Sequence, residues 1–212
     1  MPTKKTSTIA TLAAGVALGV AISVPIIASG QPEDGAMSME EMMQMDPSKV
    51  MQMMMEASMP GDEHEFLAKL AGDYEMTAKF WMDPDAEPEV SKGTCSSELI
   101  MDGRYLVCDV DMTLRFGGMD VPMAGKAVMG YSRPLREYQT IWIDTMNTNM
   151  TVQTGDIKDG KLVVIGQNAS PMGPSQLKNV YTMQPGGYDL EFYEPNPMTG
   201  EMMKTGVIEY RR

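Results

Sequence analysis

Methionine and histidine supply the first chemistry open to this chain. Met51, Met54 and Met55 share one face if residues 47–57 form a helix. Thioether sulfur is a soft ligand that selects Cu(I). His64, the single histidine, is the one imidazole that could join them, and it would then have to face a cavity. The competing reading is a methionine stripe that docks on another surface, because methionine makes adaptable apolar contacts, with His64 as a helix-cap contact.

A second set lies on one strand. Tyr138, Thr140, Trp142 and Asp144 share parity, with Gln139, Ile141 and Ile143 on the other side. Turned inward, the first set lines a cavity with hydroxyl, indole and carboxylate groups. Trp81 offers a second indole, and Arg104 could pair with an inner carboxylate. Asp144 is the acid an enzyme would use here. The plainer alternative is a half-buried strand whose Trp142 packs against an N-terminal helix. Asp109 and Asp111 share a face and read as solvated.

Cys95 and Cys108 are the two cysteines. An even pair in an exported protein invites a disulfide. Asp102-Gly103 between them marks a hairpin. A two-residue loop pairs Cys108 with Ser97 and leaves Cys95 diagonal to Cys108. A four-residue loop, 100–103, sets the two opposite each other. Bridging depends on that register; otherwise both are small buried side chains. No Cys-x-x-Cys, P-loop, Rossmann glycine fingerprint, Gly-x-Ser-x-Gly or His-Glu-x-x-His occurs. Histidine-dependent nucleophilic catalysis would rest on His64 alone, so a non-catalytic protein is expected, with no particular cofactor implied.

The elements that must position these residues change character near residue 61. Lys4 and Lys5 precede an uncharged, largely apolar run from Ile9 to Ile27, and Ala28-Ser29-Gly30 offers a cleavage site. Residues 1–30 thus read as an export signal or as an uncleaved anchor, with residues 9–28 close to the ~20 needed to span a bilayer. No cysteine follows that run, which removes a lipoprotein anchor. The expected location is periplasmic or extracellular. Residues 31–60 form a methionine-rich helical linker holding 10 of the 25 methionines. Asp46-Pro47 is a helix start, and Phe66, Leu67 and Leu70 share a face of a further short helix.

From residue 61 to 212 the pattern is one of short alternating runs divided by Gly, Pro, Asn and Asp. About ten strands are expected, starting with 74–81 and ending with 204–210, with turns at Asp102-Gly103, Gly117-Gly118, Asp159-Gly160 and Pro185-Gly186-Gly187. That predicts a mainly β domain, an antiparallel barrel or curved sheet behind short N-terminal helices. The net charge of -12 repels phosphate backbones and anionic headgroups, which excludes nucleic acid as a partner. Contact with a membrane is expected only through the N-terminal run.

Several pieces together resemble one family. They are Pro60-Gly61-Asp62-Glu63-His64 with Leu67, Leu70 and Gly72, then Phe80-Trp81, Gly93-Thr94, Gly103-Arg104-Tyr105-Leu106, Gly130-Tyr131, Trp142-Ile143-Asp144-Thr145-Met146 and Glu209-Tyr210. The set is similar to the bacterial domain-of-unknown-function family 1579 over about residues 47–212. Tyr74 departs from it, standing where the family usually has Trp. The resemblance implies a lipocalin-like (calycin-type) β-barrel and no activity. A barrel of this size can enclose a small ligand, so the expected partner is a small apolar or amphipathic molecule. Metal handling by the methionine segment is the alternative.

Overall fold

The computed structural model describes residues 38–212 except 82, 84, 85, 171 and 172. The leader, with its cleavage-or-anchor alternatives, lies outside the described residues. The chain divides into two units, Met1–Met45 and Asp46–Arg212. The first contributes α1 (Met39–Gln44), opened by a capping box in which Ser38 and Glu41 satisfy each other's backbone N–H.

In the second unit, α2 (Pro47–Ser58) begins where Asp46 accepts the Ser48 N–H at 2.8 Å and Pro47 presets the first turn. No residue of α2 is buried. Twelve residues of this kind are marginal as a free helix, and its C-terminal end is held from outside. Arg104 Nε donates to the Ser58 carbonyl at 2.9 Å, and Arg133 donates to the carbonyls of Glu56 and Met59. Two cations thus satisfy carbonyls that the helix leaves open, at the end where its dipole is negative.

Then α3 (His64–Leu70) leads into ten strands: β1 (Gly72–Phe80), β2 (Glu89–Ile100), β3 (Tyr105–Phe116), β4 (Met119–Ser132), β5 (Glu137–Asp144), β6 (Thr151–Lys158), β7 (Lys161–Ser170), β8 (Gly173–Gln184), β9 (Gly187–Pro195) and β10 (Met202–Arg211). Each strand pairs antiparallel with its neighbours in sequence, and β10 pairs with β1. The sheet is a closed up-and-down barrel. Closure leaves no strand edge to template aggregation, which a curved open sheet would have done.

Tight turns make this meander. At Asp159-Gly160 both residues have positive φ, 52° and 75°, and Lys158 pairs with Lys161. That is the primed two-residue hairpin whose twist matches the strands. The strands run longer than the sequence pattern alone suggests, because ladder pairing carries polar residues such as Glu89 and Asp120 into the sheet.

Alternation sets what fills the barrel. Tyr74, Met76 and Ala78 on β1, Leu106, Cys108, Val110 and Met112 on β3, and Leu162 and Val164 on β7 all face inward and are buried. Phe66, Leu67 and Leu70 of α3 join the same core, packed against β2, β3 and β4. At the end that α3 covers stands a cluster of tyrosines. Tyr188 stacks on Tyr210 at 4.2 Å, and Tyr74 meets Tyr188 edge-on at 5.3 Å. Arg212 donates to the Tyr74 hydroxyl at 2.9 Å and to the Ala71 carbonyl, tying the last residue to the helix–strand junction.

Candidate functional site

One end of the barrel is closed and the other is open. Toward the α3 end, Met76 is 2% exposed and Leu162 and Val164 are 0%, with Tyr131 and Met183 partly buried beside them. Toward the opposite end, the inward-facing Phe80, Leu114, Met123, Trp142 and Phe192 are only partly buried. A gradient of this kind along continuous strands defines a mouth, and the residues that line it are the candidate site.

Beta5 runs from one end to the other, so it divides the residues that the sequence places on one face. All four do face inward. Tyr138 belongs to the closed end. Its hydroxyl donates to the Glu63 carbonyl at 2.8 Å, and its ring packs against Phe66 and Tyr131. Thr140 is buried midway. Trp142 and Asp144 lie at the mouth. The Trp142 indole donates to the Asp144 carboxylate at 2.6 Å, while the other carboxylate oxygen accepts the N–H groups of Met146 and Asn147. Trp142 lies over Gly125 of β4, where an added Cβ would sit 2.2 Å from the ring. Asp144 therefore fixes the indole and caps the turn after β5, and both of its oxygens are engaged. Among the described residues it has no basic partner.

Arg104 is elsewhere. It sits at the closed end in the β2–β3 turn, bonded to Ser58 and Met101 carbonyls and lying 3.5 Å from Asp102. Trp81 follows β1 at the mouth, on the parity opposite to Phe80, with its backbone N–H on the Thr205 carbonyl at 3.0 Å. Of the residues proposed from sequence to bind ligand, Trp142 and Asp144 come together, while Tyr138 and Arg104 stand at the other end.

The other two sets are separated by the same geometry. His64 is buried, its Nδ1 accepts the Gly61 N–H at 3.0 Å, and its ring meets Tyr131 edge-on. It pins the entry to α3. Met51, Met54 and Met55 are exposed on α2, whereas His64 is buried. Among the described residues, no group of three or more His, Cys, Asp or Glu is arranged to hold a metal ion.

Cys95 and Cys108 are buried and free in this structure. The register explains the arrangement. Ser97 pairs with Cys108 and Cys95 with Val110, which leaves the cysteines diagonal rather than opposite. The register with Cys95 facing Cys108 directly is excluded. The Cys95 sulfur lies 3.2 Å from Ser97 Oγ. The neighbouring Cys108 thiol, together with burial, pushes the Cys95 thiol's pKa up.

Other inward residues at the open half were not singled out from sequence. Gln153 on β6 and Asn179 on β8 flank β7. Gly166 lies opposite Gln153 on β7 and has no side chain to keep the two apart. Asn179 Nδ2 donates to Gln153 Oε1 at 2.9 Å, and Gln153 Nε2 reaches the Leu177 carbonyl at 3.4 Å. A Cβ on Gly166 would lie 2.8 Å from Gln153 Cγ and 2.1 Å from the Val152 carbonyl oxygen. Asn179 Oδ1 is buried and has no hydrogen-bond partner. Asn179 pairs with Phe192 on β9, and Phe192 packs on Phe80 at 5.7 Å. Two residues further along β9, on the same inward parity, is Glu194. It is half-buried, and burial raises its carboxyl pKa.

Parity alone could have marked Gln153, Asn179 and Glu194 as inward. Their meeting across a glycine could not be read without the register. Two clefts are also present, one along β1 and β2 beside Arg211 and Arg212, the other across β2, β3 and β4. Neither includes Trp142, Asn179, Phe192 or Glu194 in its lining.

Fold and site together define a class: a closed ten-stranded antiparallel barrel, plugged at one end by a short helix and open at an aromatic, acidic mouth. Residues 59–212 match the family described as "Protein of unknown function (DUF1579)", and the chain belongs to that family. No curated protein matches the chain.

Proposed function

We propose that this protein is a non-catalytic carrier of a small, partly apolar molecule, taken up through the open end of the barrel, and that it works outside the cytoplasm. The single observation that carries the reading is the burial gradient. Met76, Leu162 and Val164 toward the α3 end are at most 2% exposed, whereas Phe80, Phe192 and Trp142 at the other end are inward-facing yet partly exposed. Apolar side chains lining a concave mouth beside a few polar groups are what small-molecule sites are made of. The carboxylate at Asp144 is engaged in holding Trp142 and a turn, so it is not free for acid–base work. The apolar leader supports export.

Copper handling by the methionine segment is a second reading, and the exposure of Met51, Met54 and Met55 on α2 favours it. Native and denaturing mass spectra of the protein expressed with its own leader in a bacterial host separate the two. The carrier reading expects an organic mass excess that disappears on denaturation and persists when residues 37–59 are deleted. A copper excess lost in that deletion would support the second reading instead. Bare protein, after growth in rich medium and gentle purification, would count against both.

A further inference from the structure

Across the ten strands, the described inward-parity positions carry no lysine, arginine or histidine, but they carry three acids, Glu89, Asp144 and Glu194. Two of these are engaged. The Glu89 carboxylate accepts the N–H groups of Gly117 and Gly118. Asp144 accepts from Trp142, Met146 and Asn147. Among the described residues, the Glu194 carboxylate has no hydrogen-bond or ion-pair partner. It is nonetheless half-buried beside Met203, its pairing partner on β10. A desolvated carboxylate without a partner is costly to keep.

A second group nearby is also short of a donor. Asn179 is only 6% exposed, and its Oδ1 is unpartnered. Asn179 is opposite Phe192, which makes Glu194 its diagonal neighbour on the same inner face. Diagonal neighbours on one face of a sheet stand about 7–8 Å apart at Cα, within reach of long side chains. One small donor group between them can bond both. Phe192 stands beside it and packs on Phe80, and aromatic ring faces attract cations.

We propose that the mouth selects a small amphipathic cation, a primary amine on an apolar body, whose ammonium group bonds the Glu194 carboxylate and Asn179 Oδ1. This inference rests on the carrier reading and narrows it. The ammonium supplies three donors to a site that offers acceptors and no donor cation. The net charge of -12 draws cations toward the protein and turns anions away. Carboxylate ligands such as fatty acids meet a like charge at the mouth and are rejected.

The test uses three probes that share one chain: octylamine, 1-octanol and octanoate, each titrated calorimetrically into the full-length protein at pH 7. Octylamine is expected to bind at least about tenfold tighter than octanol or octanoate, the scale of one hydrogen bond to a charged group. Glu194→Gln is isosteric and lies at the rim. It should bring octylamine to the octanol level and leave octanol unchanged, so retained octanol binding certifies the fold. Glu194→Lys should turn the preference toward octanoate. A preference produced by overall charge alone would survive Glu194→Gln, because the other acids remain, and that result would overturn the proposal. So would wild-type protein that binds octanoate as tightly as octylamine, although it would leave the carrier reading standing. Binding of none of the three would overturn both.

Discussion

Leu67→Ala lowers the unfolding free energy by about 2–5 kcal/mol, the range for truncating a buried leucine without collapse of the site. Leu67 is 0% exposed, as is Leu70 one turn later. A seven-residue helix has no stability of its own, so α3 is held by its packing against β2, β3 and β4 and by Tyr138 bonding the Glu63 carbonyl. Removing one of the two side chains that α3 buries completely weakens the plug and the barrel together. Urea unfolding followed by tryptophan fluorescence measures the loss. Both tryptophans lie at the mouth, so a midpoint shift seen there reports a change transmitted through the whole barrel. A loss below about 1 kcal/mol would mean that α3 merely rests on the barrel.

Stability also falls steeply at alkaline pH. In the unfolded chain, tyrosines ionise near pH 10. In the folded protein, burial, with the charge of Glu63 second, pushes Tyr138 up to about 12. Burial raises Tyr181 as well, and raises Tyr188 and Tyr210 well above the ordinary range. These groups hold their protons more tightly when folded. The stability this contributes is therefore fully present below about pH 10 and is lost as pH rises through the folded values. Each pKa unit per tyrosine is worth about 1.4 kcal/mol. The urea midpoint should be level from about pH 7 to 9 and drop between about pH 10 and 12, with tyrosinate absorbance appearing in step with unfolding. Full tyrosinate formation at an unchanged midpoint would show that the cluster is open to solvent.

How much of this was legible in the sequence follows from what each feature depends on. Strand number and order could be read, because Asp159-Gly160 and Gly117-Gly118 punctuate period-2 runs and local turn chemistry decides where a meander folds back. The inward parity of Tyr138, Thr140, Trp142 and Asp144 was equally local. Closure of β10 on β1 was not, since Ile208 pairing with Ala78 involves residues far apart in the chain. Parity also cannot say which end of β5 is the plugged one. That is why Tyr138, which bonds α3, and Trp142, at the mouth, looked like members of one site. Arg104 was legible as a cation at a turn, but its role on the α2 carbonyls depends on where that helix comes to rest. Gln153 and Asn179 meet over a third strand, a contact that depends on two registers at once. Glu194 is notable because its carboxylate has no partner among the described residues, which no sequence pattern reveals.

The central claim is that a ligand enters at the mouth. Its most direct test labels the protein with 5-fluorotryptophan, which reports only Trp81 and Trp142, with Trp81→Phe to assign the two signals. Fluorine spectra are then recorded during titration with 1-octanol, a neutral probe. The Trp142 resonance is expected to move saturably to a one-to-one endpoint, while fluorotyrosine at Tyr188, toward the α3 end, stays where it was. A Trp142 signal that does not move at octanol concentrations where calorimetry shows binding would place the ligand elsewhere and contradict the account.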